Sequence, residues 1–338
     1  MCEHPDFSNY LITIAAAPEL TLPQRQTAAV LLKSLLERHN EIVTGPYFKY
    51  MKTRLVSLLE GATPELANII SNSIVTVISS NDFHIWPEIL KLLNALIRTG
   101  KRESVENGVL CLEKLCEDVK VINQKDIESI IPSLVELIKS KSFSDKARGA
   151  AVNSLNLIYN SMGSTGFKNY LALIVPMMLE WMKDPNAGQK ANKLLNKNLC
   201  ALSITLHEHT REEIGSIASV MFDYHIRMLG SEEHEVSYAA CEFWKRYLHI
   251  KWNGDYEDQK WELLEGYLPK LLPQLLRVMK YSNNDLAEMI KDTELDIKYT
   301  ETEDLAAMEE CTEGFSFILL SRRIWRFIIK TNCSLYIR

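Results

Sequence analysis

Glycine is scarce, at 13 in 338 residues. With so few, and with no alternating β-branched runs set around Asn-Gly turns, the chain offers little from which hairpins could be built, so helix is favoured throughout. Disulfide chemistry is no better served. The seven cysteines (Cys2, Cys111, Cys116, Cys200, Cys241, Cys311 and Cys333) are scattered, odd in number and without a CxxC pair, which suits reduced thiols of a cytosolic or nuclear protein rather than a secreted framework. No secretory-leader pattern opens the chain. The most apolar late stretch, residues 315–329, is broken by Arg322, Arg323 and Arg326, so no membrane span is expected.

Positive charge is also short. A net charge of −6 argues against general nucleic-acid binding, which needs a basic face to displace counterions from phosphate. Catalytic signatures are missing as well: there is no GxxxxGK[ST] phosphate loop, no GxSxG elbow and no HExxH pair. His207-Glu208-His209 comes nearest to a metal motif, but residues two apart point to different sides of a helix. These histidines read as surface or helix-end residues. No enzyme activity, metal or cofactor is expected.

What the chain does contain is a repeating unit, seen most clearly in residues 83–118, FHIWPEILKLLNALIRTGKRESVENGVLCLEKLCED. Trp86, Ile89, Leu90, Leu93, Leu96 and Ile97 form the apolar stripe of one helix, opened by Trp86-Pro87 with proline in the first turn and stopped at Thr99-Gly100. Val105, Val109, Leu112, Leu115 and Cys116 line a second helix, with Glu103, Glu106, Glu113, Lys114 and Glu117 opposite. Cys111 and Cys116 read as small apolar residues, and Trp86, Trp181 and Trp244 as core. Two such helices cannot bury both stripes alone, so the unit must stack on copies of itself.

Further helix pairs are expected over 7–16 with 22–38, 46–59 with 64–79, 126–139 with 144–161, 167–182 with 187–206, and 210–229 with 235–249, followed by a helix over 261–281. Met162 to Gly166 reads as a turn between helices, and Trp252 to Lys260 as a polar insertion. Pro87, Pro132 and Pro176 recur in the first helices at a spacing that fits repeats of about 40 to 47 residues with two helices each. The expected fold is therefore all-α: a right-handed HEAT-repeat α-solenoid of about six and a half repeats over residues 1–281. Residues 282–313, with eleven acids against Lys291 and Lys298, form an acidic loop or linker. Residues 314–338 form an atypical tail.

Five segments carry a more specific likeness. HPDFSNYLI, WPEILKLLNALI, CLEKLCED, AACEFW (239–244) and LLPQLLRVMKYS (271–282) resemble, in order over residues 4 to 296, landmarks of the amino-terminal arch of the transportin, or karyopherin-β2, branch of the importin-β family. The resemblance implies a monomeric nuclear import receptor of the cytoplasm and nucleus. Its concave, second-helix side would bind the GTPase Ran in its GTP form, and its convex side phenylalanine-glycine nucleoporins. In that family a carboxy-terminal arch binds cargo with proline-tyrosine signals, and an acidic loop in the eighth repeat couples Ran binding to cargo release. This chain matches from about the second repeat into that loop, so cargo binding would need an arch absent from it. Candidate contacts for Ran are Glu113, Glu117, Asp118, Asp145, Glu235, Glu242, Asp285 and Glu288, with Glu232 and Glu233 beside them. The alternative is a static HEAT-repeat scaffold or adaptor outside transport.

Overall fold

Thirteen α-helices are present among the described residues, which in this computed structural model are 6–38, 48–80, 85–118, 124–187, 189–209, 217–252 and 258–278. In order they are α1 (Phe7–Ala16), α2 (Leu22–Arg38), α3 (Phe48–Gly61), α4 (Pro64–Ser79), α5 (Ile89–Arg98), α6 (Arg102–Asp118), α7 (Gln124–Lys139), α8 (Asp145–Phe167), α9 (Leu171–Lys183), α10 (Lys193–His209), α11 (Ala218–Leu229), α12 (His234–Trp252) and α13 (Asp258–Val278). No strand occurs among the described residues. The acidic stretch 282–313 and the tail 314–338 lie outside them.

Local chemistry sets most boundaries. Pro64 opens α4 in its first turn, with Thr63 in extended conformation before it. Gly100 adopts φ 76°, the left-handed conformation that stops α5 and that a side chain would resist. One expectation needs correction. Pro87 does not lie in the first turn of α5, because that helix starts at Ile89 behind Glu88; Trp86 sits ahead of it, buried, its carbonyl accepting from Ile89 N–H at 3.2 Å. The break expected at 162–166 is found at Gly163, whose φ of 70° and ψ of 173° depart from helix and divide α8 into two helical pieces.

The chain divides into two units, Met1–Thr205 and Leu206–Arg338. In the first, odd-numbered helices pack on odd-numbered ones (α1 on α3, α5 on α7, α7 on α9) and even-numbered on even-numbered (α2 on α4, α4 on α6, α6 on α8), giving two layers of stacked helices. This is the stacking of an α-solenoid of the HEAT and armadillo kind. Its core runs between the layers through Leu32, Leu59, Ile74, Trp86, Leu93, Leu112, Ile131, Leu155 and Met178, all essentially inaccessible to water. Cys111 and Cys116 are buried there too, and burial raises the Cys111 thiol to about 12.

Helix ends are satisfied by neighbouring helices. Within a pair, Arg25 Nε donates to the Ala15 carbonyl at 2.9 Å and Arg148 Nε to that of Ile138 at 3.0 Å, serving carbonyls that the last turns of α1 and α7 leave unpaired. Arg148 also stacks its guanidinium 4.4 Å above Trp181. Between pairs, Ser104 Oγ donates to the Glu60 carbonyl at 3.0 Å, and Asn107 Nδ2 to those of Leu59 and Ala62 at 2.9 and 3.0 Å.

In the second unit α11 packs on α12 and on α13. An aromatic cluster joins them. Phe222 lies 5.0 Å from Trp244, 4.9 Å from Tyr247 and 5.3 Å from Tyr267, and His225 stacks on Phe243 at 3.6 Å. His225 is wholly buried, and its Nδ1 donates to the Met221 carbonyl at 2.7 Å. Burial pushes its pKa down to about 3.

Two predictions follow from this packing. A Cβ on Gly149 would lie 2.8 Å from Leu194 Cβ and 3.0 Å from the Leu194 carbonyl carbon. Gly149→Ala is therefore expected to lower the urea-unfolding free energy by about 1–3 kcal/mol, while Gly266→Ala, where nothing lies within 4 Å, raises it by about 0.5–1 kcal/mol. His225 stays neutral in the fold but takes up a proton in the unfolded chain below its ordinary 6.5. Its contribution is thus complete above that pH and is lost as pH falls from 6.5 toward 3, by about 2 kcal/mol at about pH 5. Unfolding of wild type and His225→Phe across that range should show the shallower dependence in the variant.

Candidate protein-binding site

The outward sides of the even-numbered helices carry the charged and amide side chains that the sequence singles out. Glu113, Glu117 and Asp118 occupy the carboxy-terminal turns of α6. Asn153 on α8 reaches across, its Nδ2 donating to Glu113 Oε1 at 3.0 Å and to Glu117 Oε1 at 3.2 Å. A neutral amide therefore holds two carboxylates one turn apart. Burial and the nearby Glu117 raise the pKa of Glu113, against the opposing Asn153 hydrogen bond. On the far side of α6, Lys114 reaches back to α4, donating to Asn68 Oδ1 and, at 2.6 Å, to Asn72 Oδ1. Burial lowers its pKa. Charge on this face thus alternates with amides, and Glu117 and Asp118 remain exposed to solvent.

Asp145 plays a different part from the others. It starts α8, and both carboxylate oxygens are occupied: Leu194 N–H donates to Oδ2 at 2.8 Å and Leu195 N–H to Oδ1 at 3.1 Å. These are orphan donors of the first turn of α10, so Asp145 caps the next repeat. Glu106 does the same one repeat earlier, accepting from Ser144 N–H at 3.0 Å just ahead of α8. Asn198 adds a bond from Nδ2 to the Gly149 carbonyl at 2.9 Å. An acid read as a contact for a partner is here part of the stacking.

In the second unit Glu235 lies in the first turn of α12 and is exposed, while Glu242 is half-buried and pairs with Lys245 at 3.2 Å. Glu232 and Glu233 precede the helix. Asp285 and Glu288 lie outside the described residues. His207 ends up against aromatic rings, 4.7 Å from Tyr247. Among the described residues no group of three or more His, Cys, Asp or Glu side chains could hold a metal ion.

The odd-numbered helices show a feature that the sequence reading missed. Tyr10, Tyr50, Leu92 and Leu173, each between 36% and 56% exposed, occupy the third or fourth position of α1, α3, α5 and α9. Each lies off the buried stripe, and in α1 Ile14, four residues after Tyr10, is exposed as well. The recurrence of an apolar residue early in four of the five first helices of this unit was the signal available, hidden by the stronger periodicity of the core.

Helix pairs stacked in two layers define an α-solenoid of the HEAT and armadillo kind, and solved structures share that architecture. The exportin Cse1 in its cargo-free, cytoplasmic state has a TM-score of 0.68 at 11% identity, over 98% of this chain and 40% of that one. The Kap95p structure described as inducing the switch loops of RanGDP to adopt the GTP-bound conformation scores 0.61, and a Kap95:Nup1 complex 0.59, each at 17% identity over 83% of this chain and 35% of that one. No family model matches the chain. In sequence it resembles transportins: 26% identity to transportin of Dictyostelium discoideum over 83% of this chain and 29% of that protein, and 24% to mouse transportin-1 over 88% and 33%. Importin subunit beta-2 of Schizosaccharomyces pombe gives 26% over 86% and 31%. The chain spans about a third of the length of these curated relatives.

The two classes of acid separate by mutation. Asp145→Ala is expected to cost about 1–2 kcal/mol of unfolding free energy through loss of the α10 cap, whereas Glu117→Ala shifts it by less than about 0.5 kcal/mol. Equal losses in urea unfolding would contradict the division.

Proposed function

We propose that this chain is the partner-binding part of a nuclear transport receptor of transportin type, without catalytic activity, working between cytoplasm and nucleus. The observation that carries the reading is the contrast between α6, whose last turns present Glu113, Glu117 and Asp118, and the exposed apolar side chains of the first-layer helices. The Asn153 amide donates to the first two carboxylates, and Lys114 and Lys146 lie near enough to offset part of the Glu113 charge. Such a face suits a basic protein, and complementary charge would raise its association rate and make binding salt-sensitive. Ran in its GTP form is the proposed partner there. The first layer presents separate apolar anchors, Tyr10, Tyr50, Leu92 and Leu173, which suit phenylalanine rings of nucleoporin repeats taken one at a time. Complexes of the structural neighbour Kap95 with Ran and with Nup1 support both assignments. Cargo binding is not assigned to these residues, because the relatives extend well beyond the matched third.

The alternative, a scaffold outside transport, rests on the fold alone. A pull-down with Ran locked in its GTP and GDP forms separates the two. Retention of the GTP form over the GDP form, weakened by Glu117→Lys and by salt, is the expected result; equal failure with both forms favours the scaffold. For the other layer, Leu92→Asp combined with Leu173→Asp should reduce retention on immobilised phenylalanine-glycine repeats several-fold while leaving Ran binding in place.

A further inference from the structure

The most exposed large apolar side chain among the described residues is Tyr238, 64% accessible, in the second turn of α12. Its ring belongs to no aromatic pair, cation contact or hydrogen bond, although Tyr247 on the same helix is buried in the aromatic cluster. The neighbours on its stripe are His234 and Glu235, four and three residues before, and Cys241 and Glu242, three and four residues after, of which Cys241 is buried. Residues at those separations lie above and below one another on a helix surface. Tyr238 is therefore an outward aromatic face with a carboxylate on either side. An exposed ring of this size gains nothing for the fold, since alanine is the better helix former. Ring and carboxylates together match one chemistry: a planar cation that stacks on the ring while its N–H groups meet the carboxylates, which describes arginine better than lysine.

We propose that Glu235, Tyr238 and Glu242 form an arginine-binding subsite of this protein, with Tyr238 as the anchor of the interface. The subsite accepts an arginine side chain presented by a basic protein segment. Glu242 is held by Lys245 at 3.2 Å, and the exposed Glu235 has a contact of its own; surface contacts of this kind an incoming guanidinium can displace at little cost. As a binding site for Ran the subsite rests on the function proposed above, but its preference for arginine does not. It differs from the Glu113 and Glu117 face, which holds a hydrogen-bonded amide and no ring.

The test uses the full chain and two probes. A fluorescein-labelled hexa-arginine peptide, followed by anisotropy at low and physiological salt, should bind wild type more tightly than hexa-lysine does. Tyr238→Ala should weaken it about two- to fivefold, Tyr238→Phe should leave it nearly unchanged, and Glu235→Gln should weaken it less than Tyr238→Ala. Ran loaded with a non-hydrolysable GTP analogue is the second probe. If Ran binds wild type and loses affinity with Tyr238→Ala, the subsite is part of that interface. If Ran binds neither protein while the hexa-arginine result holds, the transport reading falls and the subsite stands. Hexa-arginine binding that is indifferent to Tyr238→Ala, with circular dichroism showing both proteins folded, overturns the proposal whatever Ran does.

Discussion

A helix pair leaves two kinds of debt, uncovered apolar flanks and unpaired groups at the helix ends, and in this chain both are settled by the pair next in sequence. The bonds from Lys52 to the Ile85 carbonyl and from Leu195 N–H to Asp145 join residues 33 and 50 apart, and the other inter-pair hydrogen bonds among the described residues fall between these separations. Each repeat is thereby fastened to its immediate neighbour, so stability accumulates from one interface to the next rather than from one central core. The closest approach in the first unit shows how tightly the interface is set. Gly149 leaves no room for a Cβ against Leu194, and beside it Asn198 bonds the Gly149 carbonyl while Asp145 caps Leu194 and Leu195. Glycine, amide and acid act together at one contact.

That constraint determines which surfaces remain for function. In the first unit the helices of one layer stack on their own kind, and each also packs on its partner in the pair. A single outward side per helix is left over. Because it is not needed for stacking, its composition can differ between helices: acids and amides on α4, α6 and α8, exposed apolar residues on α1, α2, α3, α5 and α9. The cost of exposing one leucine or tyrosine per repeat is small, and scattered singly such residues would need no explanation. Their placement at the third or fourth position of four first helices is what makes them a row.

Much of the fold was legible because helix periodicity and helix-end chemistry are local. The bounds of α1, α2 and α4 coincide with those expected from apolar spacing and the flanking prolines. Where a distant neighbour decided the matter, the reading slipped. α10 begins at Lys193 rather than near Ala187 because Asp145, almost fifty residues earlier, supplies the acceptors for its first turn. The same limit applied to the site. Spacing placed Glu113, Glu117 and Asp145 on outward sides, but it could not tell an acid that faces solvent from one committed to the next repeat.

A row of weak anchors also has consequences for how such a surface would work under the proposed reading. One phenylalanine ring against one exposed leucine gives a contact that forms and breaks readily, and several in register on a flexible chain give useful retention through effective concentration without slow release. The acidic layer works on another principle. Glu113 and Glu117 are pre-positioned by the Asn153 amide, so a partner's cation meets an ordered carboxylate pair and does not have to order it. Neutralising the pair also removes the repulsion that contributes to the raised pKa of Glu113. The same solenoid thus supports many brief apolar contacts on one layer and one salt-sensitive, pre-organised contact on the other, and the two need not compete because no outward side serves both.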